Sequence, residues 1–413
     1  MNILIISRCP PYPLHLGDRL ILYHLARQLA PRGHQLDLLA YYNEPADPKQ
    51  VAKYAQWFRR VELIREPYRS SLSYALRLLV PNAMFPRKSS ASWSATMWSS
   101  IRTALSQQKY DLVLLFGGIH VYEFRELLRG LPTVIVPYES FSLYLKRKLA
   151  QQSSTAAKAA VRPQWWMASQ YERRMFSGFS RLVMISNVDA DVVRHLNPNY
   201  PLTVIQQGID TDYFRPSRYS STDRSDFLEN FLPHGAAPGE RQVIFFGNFD
   251  YEPNLDAAKF LIESIFPRIR NKLPDVKLLI VGNGAPTRLE KPNVEIIGHV
   301  PDLRPYIEQS QLFLCPLRIG AGIKNKILEA MSLAKPIVAT PLSLEGLVLI
   351  PGEHALVGTT AQELASAAIQ LLEDETRRNA MGAANRTLIE AHYSWQRTAD
   401  HYETLFKELI AHD

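Results

Sequence analysis

The chain has 413 residues, of which 46% are hydrophobic and 21% charged, a composition that excludes a fibrous or wholly disordered chain. At about 150 residues per domain, this length predicts two or three domains. The 47 Lys and Arg residues outnumber the 40 Asp and Glu residues, so the formal net charge of +7 favours anionic partners without identifying one.

No apolar run approaches the roughly 20 residues needed to span a bilayer. The N-terminal stretch MNILIISRCPPYP lacks the basic lead-in of a signal peptide. Cys9 and Cys315 are the only cysteines, which excludes a disulfide framework and a cysteine-built metal site. The sequence therefore predicts a cytoplasmic protein.

The first half of the chain alternates short apolar runs with helical patterns. The runs are rich in β-branched residues and apolar on both faces, as expected of strands buried beneath helices. They span residues 2–7, 35–42, 61–66, 111–117, 133–140, 181–186 and 202–208. The clearest helix spans 18–30, where apolar residues recur at helical spacing. This alternation predicts right-handed βαβ units and a parallel sheet.

The pattern breaks at 215–241, which is rich in Ser, Pro, Gly and charge and predicts a linker or surface insertion. It then resumes with predicted strands at 242–248, 276–283, 294–300, 311–317 and 336–340 and helices at 254–272, 323–334, 361–392 and 394–411. We predict an α/β protein with two Rossmann-like domains, residues 1–214 and 242–392, and a cleft between them. Residues 393–413 form a C-terminal helix, for which we predict packing on the first domain.

The most informative segment is 316–340, PLRIGAGIKNKILEAMSLAKPIVAT. Here a predicted strand ends near Leu317, a glycine turn follows, and a helix is predicted to begin near Ile323. Gly320 and Gly322 let the backbone approach a ligand, and with the helix dipole and Lys324 they form an anion site suited to a diphosphate. The alternative is a glycine turn that serves only the strand-to-helix geometry.

Glu329 lies in the same helix among apolar neighbours, so its carboxylate needs hydrogen-bond donors. One interpretation is a bidentate acceptor for two ribose hydroxyls, about one and a half turns below the phosphate site. The other is a surface pair with Lys326, three residues earlier.

The segment GAGIKNKILEAMSLAKPIVAT resembles the donor-binding signature of GT-B glycosyltransferases, most closely the retaining family called GT4. Four further segments resemble that family in its own order: the N-terminal strand with PYPLHLGDRLILYHLARQL, QQGIDTDYFRP, VIFFGNFDYEPN, and VGNGAP with VEIIGHVPDLRPYI. The chain is also similar to a subgroup of exopolysaccharide-associated sugar transferases. The resemblance covers nearly the whole chain and implies a GT-B fold, with two Rossmann-like domains facing each other across a cleft. It implies a nucleotide-diphosphate-sugar donor, no cofactor and no metal.

For the second domain, the resemblance assigns roles residue by residue. Glu329 matches the second glutamate of the family's E-x7-E motif, which holds the nucleotide ribose, and Ala321 stands where the first glutamate would contact the transferred sugar. The Arg/Lys pair that usually clamps the diphosphate is missing after Gly247, so Lys324 is the candidate for the compensating cation, with Asn248 as a polar neighbour. Residues 282–284 and the turn at 298–299 are expected to line the base pocket. The expected donor-binding residues are Gly247, Asn248, Gly282, Asn283, His299, Gly320, Ala321, Gly322, Ile323, Lys324 and Glu329.

In the first domain, Gly17, Asp18 and Arg19 occupy the glycine loop that the family brings towards the diphosphate and the acceptor. An N-cap is the alternative role for Asp18. His120 and Glu139 each follow a predicted strand end; the family often has an active-site histidine after the fourth strand, and Glu139 matches an acidic position of the subgroup. A polar loop residue without a ligand is the alternative for both. The candidate catalytic residues are Lys324, His120, Asp18 and Glu139.

Residues 143–174 contain seven Lys and Arg residues against one Glu, together with Trp165 and Trp166. Cationic and aromatic side chains on one amphipathic segment predict contact with an anionic membrane surface. The alternative is a solvated basic face.

We therefore predict a retaining, metal-independent, hexosyltransferase-type glycosyltransferase that acts on a glycan or lipid-linked acceptor. Two alternatives stay open, a nucleotide-sugar 2-epimerase of the same fold and a non-catalytic nucleotide-sugar-binding protein. A nicotinamide-dependent oxidoreductase is disfavoured, because neither NILIIS nor QVIFFG is followed by G-x-G-x-x-G. The sequence carries no recognisable nucleic-acid-binding motif, so nucleic acid is not an expected partner.

Overall fold

The computed structural model describes residues 1–14, 17–80, 83–152, 154–216 and 241–411. The chain divides into two compact units, one of residues 1–208 with 395–413 and the other of residues 209–394. The predicted end of the first domain at residue 214 is wrong, because the N–H of Ile209 donates to the carbonyl oxygen of Tyr393 and Phe214 packs on the core of the second unit. The predicted linker lies outside the described residues except for its ends.

The first unit is built on a parallel sheet of seven strands. They are β1 Asn2–Ser7, β2 Gln35–Tyr42, β3 Arg60–Arg65, β4 Leu112–Phe116, β5 Thr133–Tyr138, β6 Arg181–Met184 and β7 Leu202–Val204. Their order across the sheet is β3-β2-β1-β4-β5-β6-β7. The order reverses between β1 and β4, the switch point at which ligands bind in sheets of this type.

The second unit contains a parallel sheet of six strands. They are β8 Gln242–Phe246, β9 Lys277–Val281, β10 Val294–Ile297, β11 Leu312–Cys315, β12 Ile337–Ala339 and β13 Leu356–Val357. The order is β10-β9-β8-β11-β12-β13, so the switch point lies between β8 and β11. Two parallel-sheet, Rossmann-like domains confirm the predicted α/β class.

Helices cover both sheets. They are α1 Gly17–Leu29, α2 Ser71–Leu79, α3 Ala95–Gln107, α4 Phe141–Gln151, α5 Thr155–Glu172, α6 Asn187–Leu196, α7 Glu252–Phe260, α8 Phe266–Lys272, α9 Arg304–Gln309, α10 Asn325–Ser332, α11 Ala361–Glu373, α12 Glu375–His392 and α13 Trp395–Ala411. A π-helical turn, Leu261–Ile265, joins α7 to α8. All residues of β4 and β8 are buried, and apart from Gln242 at the start of β8 they are apolar, as expected of strands that are covered on both faces.

The last helix, α13, packs on α1 of the first unit. The ring of His24 stacks on Trp395 with 4.8 Å between centroids. The guanidinium of Arg32 lies 2.7 Å from Asp400 and 2.8 Å from Glu403. The chain thus leaves the second unit after residue 394 and ends on the first.

Helix α10 is held closely against α12. A Cβ atom added to Gly382 of α12 would overlap the carbonyl oxygen of Ala334, two residues beyond the end of α10. The Nδ2 atom of Asn385 donates to the carbonyl oxygen of Lys335 at 2.8 Å. These contacts set the position of α10, which carries the residues discussed next.

Candidate functional site

The predicted donor-binding residues of the second unit lie at the carboxyl edge of its sheet. Gly247 and Asn248 follow β8, Gly282 and Asn283 follow β9, and the glycine loop 318–324 follows β11. Because these strands are parallel, their carboxyl ends meet at one edge. The structure therefore brings the three loops together around the switch point.

Gly247 and Gly282 bring the ends of β8 and β9 into close contact. The N–H of Gly247 donates to the carbonyl oxygen of Val281 at 3.0 Å. A Cβ atom added to Gly282, whose φ is 142°, would overlap the carbonyl oxygen of Gly247. Any side chain at 282 is excluded for this reason, and only backbone is presented here.

The turn after β10 lies beside Gly282. The N–H of Gly282 donates to the carbonyl oxygens of Ile297 and Gly298, at 3.0 and 3.2 Å. His299 follows and is exposed. A role of this turn in a base pocket stays a prediction.

The polar side chains after β8 and β9 shape the loops that carry them. The Oδ1 atom of Asn248 accepts from the N–H of Asp250 at 3.1 Å, and the Nδ2 atom of Asn254 donates to the carbonyl oxygen of Asn248 at 2.6 Å. The Nδ2 atom of Asn283 donates to Oδ2 of Asp250 at 2.7 Å. Asn248 and Asn283 thus tie the two loops to each other through Asp250.

The prediction that the helix begins near Ile323 is wrong. The helix α10 begins at Asn325, and Lys324 before it has an extended backbone with φ of −95° and ψ of 96°. The buried ammonium of Lys324 donates to the carbonyl oxygens of Ala321, at 3.1 Å, and Gly322. This ammonium therefore neutralises carbonyl dipoles of its own loop.

A second lysine, Lys326, occupies the space beside β8. Its Nζ atom donates to Oδ1 of Asn254 and lies 5.2 Å from the ring centroid of Phe245. A Cβ atom added to Gly247 would lie 3.0 Å from this Nζ atom. Lys326 thus places a cation where the diphosphate-clamping pair of the family is missing.

From the sequence alone, Lys326 is expected only to form a surface pair with Glu329. One signal in the sequence was available, because residues two apart on a helix point about 200° apart while residues three apart share a face. Lys326 therefore faces the same way as Glu329, and Lys324 does not.

Glu329 carries a partly buried carboxylate without a local partner. In the part of the chain that the structure describes, no hydrogen bond and no ion pair reaches it. Burial raises the pKa of Glu329 to about 7, although the charge of Lys326 acts in the opposite direction. Burial likewise lowers the pKa of Lys326. Both groups are held in a site that disfavours their charged forms, as functional residues often are.

At the carboxyl edge of the first sheet, Asp18 pairs with Arg8, a residue that was not predicted from the sequence. The Oδ2 atom of Asp18 lies 2.7 Å from Nε of Arg8, which directly follows β1. The helix α1 already begins at Gly17, so Asp18 lies within its first turn rather than at the N-cap. A Cβ atom added to Gly117 would overlap the Cβ atom of Arg8, and the φ of 119° at this glycine suits the close passage. The position directly after a strand was the available signal for Arg8.

His120 belongs to a second polar cluster at this edge. Its Nδ1 atom lies 2.7 Å from Oε1 of Glu66 and 2.8 Å from Nη1 of Arg69. Burial lowers the pKa of His120, which favours the neutral ring, although the hydrogen bond with Glu66 acts in the opposite direction. Burial opposes the charge of Glu66, but the hydrogen bond with His120 and the charges around it lower its pKa to about 2.

The remaining first-unit candidates are placed differently. Arg19 is buried, and its guanidinium contacts both carboxylate oxygens of Asp47, at 2.6 and 3.1 Å, and the carbonyl oxygen of Tyr12 at 2.6 Å. Gly17 is exposed at the start of α1. Glu139 is partly buried directly after β5, and its N–H donates to the carbonyl oxygen of Pro137 at 3.1 Å. We therefore give Arg19 a structural role and keep the role of Glu139 as a prediction.

The basic segment 143–174 forms most of the hairpin of α4 and α5. Trp165 packs against the small apolar core inside this hairpin, while Trp166 is exposed. Among the described residues, no helix is long and apolar enough to cross a membrane. Nor do the described residues contain a group of three or more His, Cys, Asp or Glu side chains that could hold a metal ion.

Two family models match the chain, one for each unit. The model of Glycosyltransferase Family 4 matches residues 20–213, and the model of Glycosyl transferases group 1 matches residues 240–374. The second match includes every predicted donor-binding residue.

Relatives with curated descriptions support the same family. The chain is 24% identical over 379 residues to an uncharacterized 44.6 kDa protein in the cps region of Klebsiella pneumoniae, covering 86% of this chain and 87% of that protein. It is 27% identical over 187 residues to a phosphatidyl-myo-inositol mannosyltransferase of Mycolicibacterium smegmatis, covering 43% of this chain and 47% of that enzyme.

Solved structures show the same fold. Sucrose-phosphate synthase from Thermosynechococcus elongatus superposes with a TM-score of 0.72 at 18% identity, over 100% of both chains. HepE of Anabaena, solved in complex with UDP, superposes with a TM-score of 0.68 at 16% identity, over 99% of this chain and 100% of that one. Sequence identities this low show only that the fold is shared, and that fold is GT-B.

We predict that Asp47→Asn lowers the free energy of unfolding by about 3 kcal/mol, because it leaves the guanidinium of Arg19 buried beside an uncharged amide. Thermal unfolding followed by calorimetry measures the loss. The control is Asp191→Asn, which removes an exposed pair with Arg194 and should cost under about 0.5 kcal/mol. If the two variants are equally stable and only Asp47→Asn loses nucleotide binding, the structural role is wrong and Arg19 belongs to the ligand site.

Proposed function

Because this chain is a GT-B glycosyltransferase of the family 4 type, we propose that it transfers a sugar from a nucleoside diphosphate to a hydroxyl group of a glycan or lipid-linked acceptor. The transfer retains the anomeric configuration and needs no metal. The relative in a cps region supports a polysaccharide product, and the phosphatidyl-inositol mannosyltransferases support a lipid-linked acceptor. The reaction takes place on the cytoplasmic side of the membrane.

One observation carries this proposal: Lys326 and the partnerless carboxylate of Glu329 lie three residues apart on α10, about 4.5 Å along the helix axis. A nucleotide sugar presents two ribose hydroxyls and a diphosphate at a comparable spacing. The hydroxyls donate to Glu329, and the diphosphate accepts from Lys326 and lies against the backbone of Gly247. Such a ligand supplies the partners that offset the free-energy cost of burying both charged side chains.

The chemistry follows from where charge develops. As the bond between the sugar and the β-phosphate lengthens, negative charge grows on the phosphate oxygens. The ammonium of Lys326 and the positive end of the α10 dipole stabilise that charge in the transition state. The acceptor hydroxyl attacks from the same face, and its proton passes to the departing phosphate. The buried methyl group of Ala321 offers no hydrogen bond, so backbone groups of the glycine loop meet the sugar hydroxyls.

The first unit supplies the acceptor side in this proposal. The neutral ring of His120, oriented by Glu66, forms a hydrogen bond with an acceptor hydroxyl. Asp18, held by Arg8, orients the acceptor, and Glu139 lies after the neighbouring strand for the same task. These roles are assigned by position at the strand ends and by the family resemblance.

The proposal is tested with a panel of UDP-, GDP-, ADP- and CDP-sugars. We expect one member to raise the melting temperature, as a ligand of the native state must, and to release its nucleoside diphosphate when polysaccharide or lipid acceptors are added. Glu329→Ala should weaken that ligand at least tenfold, since a hydrogen bond to a charged group contributes about 1.5–3 kcal/mol. The control Glu373→Ala removes an exposed carboxylate of the same unit and should change nothing. The proposed function would be refuted if every sugar nucleotide bound equally weakly, or if the sugar were epimerised and not transferred.

Nucleotide-sugar affinity should rise with pH through about 7. Below that pH the raised pKa keeps Glu329 largely neutral, and a neutral carboxyl accepts poorly from two hydroxyls. From pH 6 to pH 8 the ionised fraction of Glu329 grows about tenfold, so the dissociation constant should fall by a similar factor. The calorimetric titration uses the intact nucleotide sugar, because the terminal phosphate of a free nucleoside diphosphate itself ionises with a pKa of about 6. In Glu329→Gln the profile should be flat, and a profile unchanged by this substitution would contradict the assignment.

The structure favours Lys326 over Lys324 as the cation that acts on the diphosphate. Lys326→Ala should lower kcat about a hundredfold while KM for the donor changes little, because the ammonium acts mainly on charge that develops in the transition state. Lys324→Ala should instead lower the melting temperature, because it leaves the carbonyls of Ala321 and Gly322 unneutralised. Steady-state kinetics with melting curves separate the two effects. A larger fall of kcat in Lys324→Ala at unchanged stability would reverse the assignment.

A further inference from the structure

Besides segment 143–174, a second stretch of the chain is strongly basic. Residues 67–110 contain no Asp or Glu and six Lys and Arg residues, against a net charge of +7 for the whole chain. The six are Arg69, Arg77, Arg87, Lys88, Arg102 and Lys109. This segment contains α2 and lies wholly in the first unit.

Helix α2 exposes an apolar stripe. Leu72, Leu76 and Leu79 recur at i, i+4 and i+7 and are 69%, 52% and 73% exposed. Val80 and Tyr68, at the two ends of the helix, are also exposed. A stripe of this kind on a soluble surface marks an interaction site.

The opposite face of α2 is partly buried, and its Tyr74 and Leu78 pack against the core of the first unit. The ring of Tyr74 packs on Trp93 and Tyr171, with centroids 5.1 and 5.4 Å apart. The hydroxyl of Tyr171 donates to the carbonyl oxygen of Tyr74 at 2.8 Å, and Ser70 caps the start of the helix. These contacts orient the leucines away from the core of the unit.

A basic groove adjoins α2. A cavity of about 330 Å³ is lined by Arg77, Phe85, Arg87 and Lys88, among others. Arg77 is held there by Glu123 at 3.1 Å, whereas Lys88 and Arg87 are exposed, the latter lying 3.6 Å from Glu126.

The acids near this groove are already neutralised by arginines. Glu123 is buried against Arg77, and Glu126 also pairs with Arg125 and Arg129, both at 2.7 Å. The groove therefore presents cations next to the leucine stripe.

We infer that α2 and residues 83–91 form a docking surface for an anionic lipid bilayer. The leucine stripe enters the boundary between headgroups and acyl chains, and Arg87 and Lys88 contact lipid phosphates. Apolar side chains beside cations are the combination that interfacial helices use. The inference rests on the proposed function insofar as it places a lipid-linked acceptor at the same membrane.

Charge favours a bilayer over a second copy of the chain. A two-fold contact through this surface would set the same acid-free, basic segment against itself, and like charges across an interface oppose association.

The predicted membrane segment 143–174 is a weaker candidate. Arg147 and Lys148 already interact with other groups of the protein, and Trp165 packs inside the hairpin.

The test is flotation of the full chain with phosphatidylcholine vesicles that contain or lack roughly 30% phosphatidylglycerol. We expect binding to the anionic vesicles that falls at high salt, because salt screens the attraction of Arg87 and Lys88 to the lipid phosphates. Leu76→Asp should reduce the bound fraction at least tenfold, and Leu72→Ser should reduce it in the same direction should the first variant fail to fold. The control Val348→Asp/Ile350→Asp changes two residues of the second unit that are 54% and 58% exposed, and should bind as wild type.

Further variants separate the competing surfaces. Arg87→Gln/Lys88→Gln should lose the preference for anionic vesicles, while Lys146→Gln/Arg147→Gln/Lys148→Gln should keep it. The opposite result, or equal binding by wild type and Leu76→Asp, would overturn the inference. Sedimentation that shows a wild-type dimer dissociated by Leu76→Asp would also overturn it, because the stripe would then bury itself between two copies.

The same samples are also assayed for the proposed function. Leu76→Asp should keep the melting-temperature rise with the nucleotide sugar and the transfer to a soluble glycan acceptor, since neither uses α2. Loss of vesicle binding with transfer intact supports the docking surface. Transfer without any vesicle binding by wild type overturns the docking surface and leaves the proposed function standing.

Discussion

The candidate site depends on a cation held beside bare backbone at the end of β8. An ammonium in a partly buried position needs a hydrogen-bond acceptor, and Asn254 supplies one to Lys326 while a glycine at 247 leaves room for it. Glu329, one turn further along α10, lacks any such partner in the described structure. Burial disfavours the charge of both groups, so the free protein holds an arrangement that a ligand with anionic and hydroxyl groups would stabilise.

Roles in this site follow position in space rather than position in a motif. The diphosphate-clamping pair of the family is absent after Gly247, and we propose that Lys326, on a helix about 80 residues later, takes its place. The compensation relies on α10 packing closely against α12, where Gly382 allows the approach. It also relies on Asn254, whose amide bonds both Lys326 and the loop after β8. A lysine alone would not produce this geometry.

The two units divide the chemistry unequally. The second unit carries its polar residues at the carboxyl edge of one sheet, where loops after parallel strands converge. The first unit combines a similar edge, with Arg8, Asp18, Glu66 and His120, with a basic and apolar surface at α2. We propose that the edge of the second sheet binds a small donor and that the surface at α2 meets a bilayer, two ligands with different physical demands.

The sequence by itself determined the fold class, since β4 and β8 are apolar on both faces and only a covered parallel sheet buries both. It also singled out Glu329 as a candidate site residue, because a lone carboxylate in an apolar helix stands out without any knowledge of its neighbours. From the sequence, Lys324 rather than Lys326 is the candidate cation, since the helix is predicted to begin near Ile323. Because α10 begins at Asn325, the backbone of Lys324 is extended and lies outside the helix. Nor could the sequence show that Arg19 forms an ion pair with Asp47, or that Tyr74 rather than Leu76 is covered on α2. Those choices are made by residues distant in the chain, and only the tertiary packing that brings them together decides which polar groups are neutralised and which face stays exposed.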